Sequence, residues 1–170
     1  MQKTQAPDIK ERVLIITRIF DAPKELLWKA WTQPEAIKLW WGPKAFTAPV
    51  FKIDLRVGGE TFSCMRSPEG KDFCGKGIYR EVVPPERLVM TDSFADEQGN
   101  IVSASYYGMS PDFPRELLIT VTFEDHDGKT KMTLKHSGIR GISDVDYNGM
   151  KQGWEESFDK LAEYLAAENK

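Results

Sequence analysis

Cysteine and histidine are scarce in this sequence, two of each in 170 residues. A structural or catalytic metal centre needs three or four clustered ligands. His126, His136 and the two cysteines are too few and too scattered to supply that pattern, so no metal is expected. Cys64 and Cys74 flank the segment MRSPEGKDF. A hairpin there would bring them together and a disulfide could then form, but in a reducing cytoplasm the reading favours two reduced, small apolar residues. Long apolar runs are missing too: none approaches the roughly 20 residues of a membrane-spanning helix. The first twelve residues, MQKTQAPDIKER, carry no apolar stretch of the kind a secretory signal needs. An excess of positive charge is also absent. The net charge is −3, with no basic stripe for a nucleic acid and no Lys/Arg cluster for an anionic membrane. The chain lacks a nucleophile elbow, a phosphate loop and a dinucleotide fingerprint, and shows no Ser-His-Asp order with a supporting motif. These absences set the expectation of a cytoplasmic protein with no cofactor and no membrane insertion.

What is present reads as alternating signals. Residues 1–12 read as a polar tail, followed by a single domain over 13–168. RVLIITRIF, rich in Ile and Val, predicts a strand. DAPKELLWKAWTQPEAIKLWW predicts helix, with Asp21 as a cap, Pro23 in the first turn, Pro34 dividing it into two short helices and Gly42-Pro43 ending the second. The period then changes. AFTAPVFKIDL, ETFSCMR, FCGKGIYREVV and RLVMTDSF read as strands, Pro49 marking an edge or a bulge in the first. Gly75 and Gly77 leave room for something bulky to approach. A polar loop over 95–114 carries Tyr106 and Tyr107 and has the length of a flap. RELLITVTFED and KTKMTLKHSG form a hairpin about Asp-Gly. The last 26 residues before Lys170 predict one long helix, on which Met150, Trp154, Phe158, Leu161 and Leu165 form an apolar stripe. Gly149 and Gly153 beside it would let the helix approach a sheet closely.

The order is strand, two short helices, a run of strands, long helix. That order predicts an α+β protein with a curved antiparallel sheet of six to seven strands and one long helix to cover it. A sheet gripping a single helix leaves a space between them, and the short helices fall where they could plug one end.

The order and its local motifs resemble the helix-grip superfamily of START-like lipid carriers and polyketide cyclases. Within it, the chain is similar to the family named for the activator of the heat-shock chaperone ATPase. ITRIFDAPKELLWKAWTQPEAIKLWWGP, DLRVGGETF, GKGIYREVVPPERLVMT and GMKQGWEESFDKLAEYL carry the likeness. It implies a pocket between the sheet and the C-terminal helix, with no shared catalytic set. The eukaryotic co-chaperone of that family has a further N-terminal domain that binds the chaperone. Here only a short polar tail precedes the first strand, which sets the expectation against a chaperone partner. Asp92 replaces an aromatic residue common in the family, and the 95–114 loop is longer than in its simplest members.

Two sets of residues are candidates to face that pocket. The polar set is Arg66, Glu81, Asp92 and His136. Period two along the strands places Arg66 with Phe62 and Cys64, Glu81 with Tyr79, and His136 with Met132 and Leu134. A buried Glu81 needs a partner, which Arg66 could be. The bland alternative is that these groups end their strands in solvent. The aromatic set is Trp40, Trp41, Phe51, Phe62, Tyr79, Phe94, Trp154 and Phe158, joined by Cys64 and Met150; some of these must be core. Of the adjacent tryptophans, one packs its short helix onto the fold and the other borders the pocket mouth. Trp40 is assigned the first part, although spacing alone does not choose.

The leading expectation is a binder of a small, largely apolar molecule. A cyclase- or hydratase-type enzyme using His136, Glu81 or Asp92 is the second reading. A protein-interaction or stress-response module, with Tyr106 and Tyr107 exposed, is the third. A homodimer through an exposed sheet face or edge is compatible with the pattern.

Overall fold

The protein is described by a computed structural model covering residues 11–169. Strand β1 (Glu11–Phe20) is followed by α1 (Lys24–Thr32) and α2 (Pro34–Ile37). Next come β2 (Thr47–Ile53), β3 (Glu60–Arg66), β4 (Asp72–Val83) and β5 (Arg87–Ala95). The hairpin β6 (Leu117–His126) and β7 (Lys129–Arg140) precedes α3 (Asp144–Glu168). Of the stretch read as a tail, residues 1–10 lie outside the described residues, and Glu11 and Arg12 belong to β1.

All pairings are antiparallel, in the order β1-β7-β6-β5-β4-β3-β2. The first strand pairs with the last, and β1 and β2 form the two edges of the sheet. The expected α+β architecture, a curved sheet around one long helix, is the architecture observed. Local chemistry explains its corners. Asp127 and Gly128 both have positive φ (49° and 82°), as a two-residue I′ hairpin turn requires. Pro49 sits on the edge strand β2, inside the register shift between Thr47 and Val50, where its missing N–H costs no ladder bond.

Three local expectations are corrected. Asp21 does not cap α1. Pro23 occupies the N-cap position in extended conformation with no side-chain cap, leaving Asp21 two residues too early. Gly149 and Gly153 do not bring α3 against the sheet. A Cβ on Gly149 would meet nothing within 4 Å, and one on Gly153 would touch only Pro43, at 3.7 Å. The cysteines are not two reduced thiols: β3–β4 register places Cys64 directly opposite Cys74, and a disulfide joins them. Opposed cross-strand positions bring Cβ atoms to about 4.5–5.5 Å, so the register itself presents the pair. Disulfides persist in oxidising surroundings and are short-lived in reducing ones. This bond therefore bears on compartment in a way the residue count did not.

The core fills one end of the sheet. Leu14, Ile16, Val121, Phe123, Met132 and Leu134 point from β1, β6 and β7 against Leu27 and Trp31 of α1 and Phe158, Leu161 and Leu165 of α3. On the opposite face of β1, Val13, Ile15 and Ile19 are exposed.

Candidate functional site

Between β2–β7, the 95–114 loop and the first half of α3 lies a cavity of about 590 Å³, the size range of small-molecule sites. Trp31, Trp41, Phe51, Phe73, Phe94, Phe113, Met150 and Trp154 provide apolar walls, and Tyr79, Asp92, Ser93 and His136 add polar groups. Gly75 and Gly77 lie on the floor. Gly77 has no alternative there, because an added Cβ would stand 2.5 Å from the Thr91 carbonyl oxygen.

The adjacent tryptophans divide as assigned. Trp40 is fully buried and donates its indole N–H to the Ala30 carbonyl at 3.0 Å, which ties the turn after α2 to α1. Trp41 is half-buried and lines the cavity. Trp31 joins them: its ring is 4.9 Å from Trp40, 6.1 Å from Trp41 and 6.3 Å from Trp154, stacked on the last. The rim next to Trp41 is fastened to α3. Ser157 donates to the Gly42 carbonyl at 2.8 Å, and the Lys160 ammonium donates to the Pro43 and Phe46 carbonyls at 3.1 and 3.2 Å. Burial lowers the Lys160 pKa from its ordinary value.

The loop read as a flap is a wall. Met109, Phe113 and Pro114 line the cavity. The one-turn 3-10 helix Ala104–Tyr107 buries Tyr107 between Phe73 and Phe94. The Tyr107 hydroxyl accepts from the Cys74 backbone N–H at 3.0 Å and donates to the Ala95 carbonyl. Cys74 and Ala95 are register partners, so a side-chain hydroxyl stands between strands where a backbone bond would otherwise close the ladder. Tyr106 is exposed and donates to Glu97.

Eight of the candidate residues line the cavity: Trp41, Phe51, Tyr79, Asp92, Phe94, His136, Met150 and Trp154. Six do not. Trp40 and Phe158 belong to the core. Phe62, Cys64 and Arg66 are on the opposite face of β3, where they pair with Lys76, Cys74 and Asp72. Thr61, Ser63 and Met65 take the inner positions. Arg66 makes two bonds to Asp72, at 2.7 and 3.1 Å, and has no part in the cavity. Glu81 is displaced by a β-bulge. The register shifts between Tyr79 and Glu81, so Val82 turns inward and Glu81 outward, where it accepts from Arg87 at 3.1 Å. Of the proposed polar cluster, only Asp92 and His136 meet.

Tyr79, Met90, Ile119, His136 and Leu14 form one row of directly paired residues across five strands. Tyr79 and His136 therefore flank a hydrophobic strip of floor. Burial raises the Tyr79 phenol pKa well above its ordinary value. The His136 Nδ1 accepts from the Trp154 indole N–H at 3.1 Å. An indole nitrogen only donates, so Nδ1 carries the lone pair and the ring proton belongs on Nε2. That Nε2 is 3.1 Å from Asp92 Oδ2, but its N–H direction misses the carboxylate, and the buried atom makes no hydrogen bond among the described residues. The Trp31 indole nitrogen is likewise buried without a partner. Leaving a buried donor unpaired costs about 1–3 kcal/mol. Such groups mark where a ligand's polar atoms would be welcome. No group of three His, Cys, Asp or Glu among the described residues could hold a metal.

Trp31 and the 109–114 wall were missed by sequence reasoning. Trp31 carries the i, i+4 signature of a helix core residue relative to Leu27 and is one as well as a cavity wall. A signal for β3 did exist: Gly75 and Gly77 face Ser63 and Thr61, so taking the glycines as floor would have put the odd-numbered residues of β3 inside.

A seven-stranded antiparallel sheet wrapped around a long C-terminal helix, with a cavity between them, defines the helix-grip class. The chain belongs to the family described as activator of Hsp90 ATPase homolog 1-like protein, whose family model matches residues 21–166. Solved structures share the fold along nearly the whole length. A protein from Arthrobacter aurescens is 25% identical with a TM-score of 0.77, over 91% of this chain and 86% of that one. Protein Ms6760 from Mycobacterium smegmatis is 27% identical with a TM-score of 0.71, over 94% of each chain. The AHSA1 protein from Silicibacter pomeroyi is 25% identical with a TM-score of 0.71, over 92% of this chain and 99% of that one. No curated protein matches the chain. No described helix is long and apolar enough to cross a membrane.

Proposed function

We propose that the protein binds a small, largely apolar molecule in the space between the sheet and the first half of α3. The observation that carries this reading is the 590 Å³ cavity itself, walled by aromatic side chains and bearing few polar groups. A folded protein that filled its core throughout would leave no such volume, because interiors are close-packed. Affinity would come from burial of apolar area, at about 25 cal/mol per Å² removed from water, with polar groups on the floor fixing orientation.

Native mass spectrometry of protein purified from its own cell, compared with the denatured mass, tests this. The expected result is an added small-molecule mass, lost in Met150→Trp, which places a larger side chain in the cavity. A bare mass that stays bare after incubation with an organic extract of the same cells overturns it.

An enzymatic reading has one specific support, the Asp92–His136 pair on the cavity floor. It favours Asp92 over His136 as the general base, because Trp154 already occupies the His136 lone pair. Turnover of a substrate with Asp92→Asn as active as the parent would remove that role.

A further inference from the structure

The polar end of the cavity has a direction. Trp154 donates to His136 Nδ1, which leaves Nε2 as the donor nitrogen, and Nε2 stands 3.1 Å from Asp92 Oδ2 without bonding to it. His136 is buried, its side chain 4% exposed, whereas the Asp92 side chain is 37% exposed. The site therefore offers one N–H donor and one carboxylate acceptor side by side, neither satisfied by the other. Among the described residues, His136 is the one basic side chain within 4 Å of Asp92.

The chemistry that satisfies both groups at once is narrow. A ketone or ether oxygen can accept from Nε2–H but leaves Asp92 facing a lone pair. A carboxylate accepts as well, but brings a second negative charge against Asp92. An ammonium pairs with Asp92 and leaves Nε2–H pointing at a cation. A hydroxyl both accepts and donates. Placed between the two side chains, its oxygen accepts from the His136 Nε2–H and its O–H donates to the Asp92 carboxylate. The exposed Asp92 can turn to admit it, while His136 is held by Trp154. Hydrophobic walls then cover the rest of the molecule, with Met90 and Ile119 beneath it.

We propose that Asp92 and His136 form a hydroxyl-recognition pair, and that the ligand is a largely apolar alcohol, phenol or enol bound with its hydroxyl between Asp92 Oδ2 and His136 Nε2. This rests on the binding reading above and adds the functional group the cavity selects. Asp92 is the specificity-determining residue, and Trp154 a positioning residue that fixes the histidine tautomer.

Three naphthalenes of one shape test the idea: 2-naphthol, 2-methylnaphthalene and 2-naphthoate. Trp31, Trp41 and Trp154 line the cavity, so tryptophan fluorescence can follow each titration. The quantity of interest is the naphthol-to-methylnaphthalene affinity ratio in the parent and in Asp92→Leu. Hydrogen bonds to a charged group support an expected fall of about tenfold in that ratio, with methylnaphthalene still bound and naphthoate binding improved. Asp92→Asn, which keeps the side-chain shape and one neutral acceptor, should fall between the two and serves if leucine unsettles the fold. Equal ratios in parent and variants, with all three compounds bound, overturn the hydroxyl pair and leave the apolar cavity standing. No binding of any naphthalene to the parent overturns both.

Discussion

The two halves of α3 carry one continuous apolar stripe and do different work with it. In the second half, Ser157, Phe158, Leu161 and Leu165 are buried against the sheet and α1. In the first half, Met150 and Trp154 are only half-buried, Gly149 touches nothing beneath it, and Val145 is 80% exposed. The second half is a wedge in a filled core, and the first half is a roof over open space. Amphipathic spacing states which face of a helix turns away from water. It does not state whether protein or a ligand waits on that side.

The strongest test of this contrast is a matched pair of truncations. Phe158→Ala should cost about 3–5 kcal/mol, as emptied core positions do. Met150→Ala, whose side chain borders a space already empty, should cost under about 1 kcal/mol by the same logic. Urea midpoints at constant m-value would show the difference. Similar losses at both positions would mean that the roof is core. Next in size is the staple at the hollow end. Cys64 and Cys74 are separated by 10 residues, and a loop of that length is worth about 2–3 kcal/mol when cross-linked. Cys64→Ala with Cys74→Ala should therefore lower the urea midpoint appreciably, and a reducing agent should do the same to the parent alone.

Smaller effects sharpen the picture. Gly149→Ala should stabilise the protein by about 0.5–1 kcal/mol, because glycine is a poor helix former and the new methyl meets no neighbour. A loss of stability there would place a contact where the roof stands clear. Tyr79 contributes through pH. Its folded pKa is raised above the unfolded value near 10, so the unfolded chain releases the proton first, and stability is level below pH 10 and falls as pH rises beyond it. Tyr79→Phe should flatten that alkaline decline in a series of urea melts. Least of all, Arg66→Ala should leave both the urea midpoint at neutral pH and the naphthalene titrations unchanged, since an exposed ion pair contributes little.

Much of this architecture is legible in the residues. Asp127-Gly128, Pro49, the alternating strands and the stripe on α3 each have one cheap structural solution, and together they prescribe a sheet around a helix. Trp40 and Trp41 could be divided between core and cavity because adjacent residues on a helix do not share one face, but spacing alone did not choose which took which part. The polar site was less legible because it depends on parity. One extra residue, the bulge after Tyr79, sends Glu81 to the surface, and no residue type in EVVPPE announces it. On β3, alternation is real but its phase is ambiguous, since Phe62 and Cys64 look more interior than Thr61 and Ser63. A cavity reverses that preference, because its walls tolerate small polar groups. The Asp92–His136 pair was reachable from period two alone, as both sit on unbroken stretches of inner face.

The tyrosine hydroxyl between Cys74 and Ala95 has a use as an indicator. The Cys74 amide hydrogen has its partner on a loop and not on a strand, so its exchange with solvent deuterium keeps time with that loop and with nothing else in β4. Amides of the neighbouring ladder exchange only when the sheet parts. A single backbone signal thus serves as a clock for the cavity wall, readable without any ligand in hand.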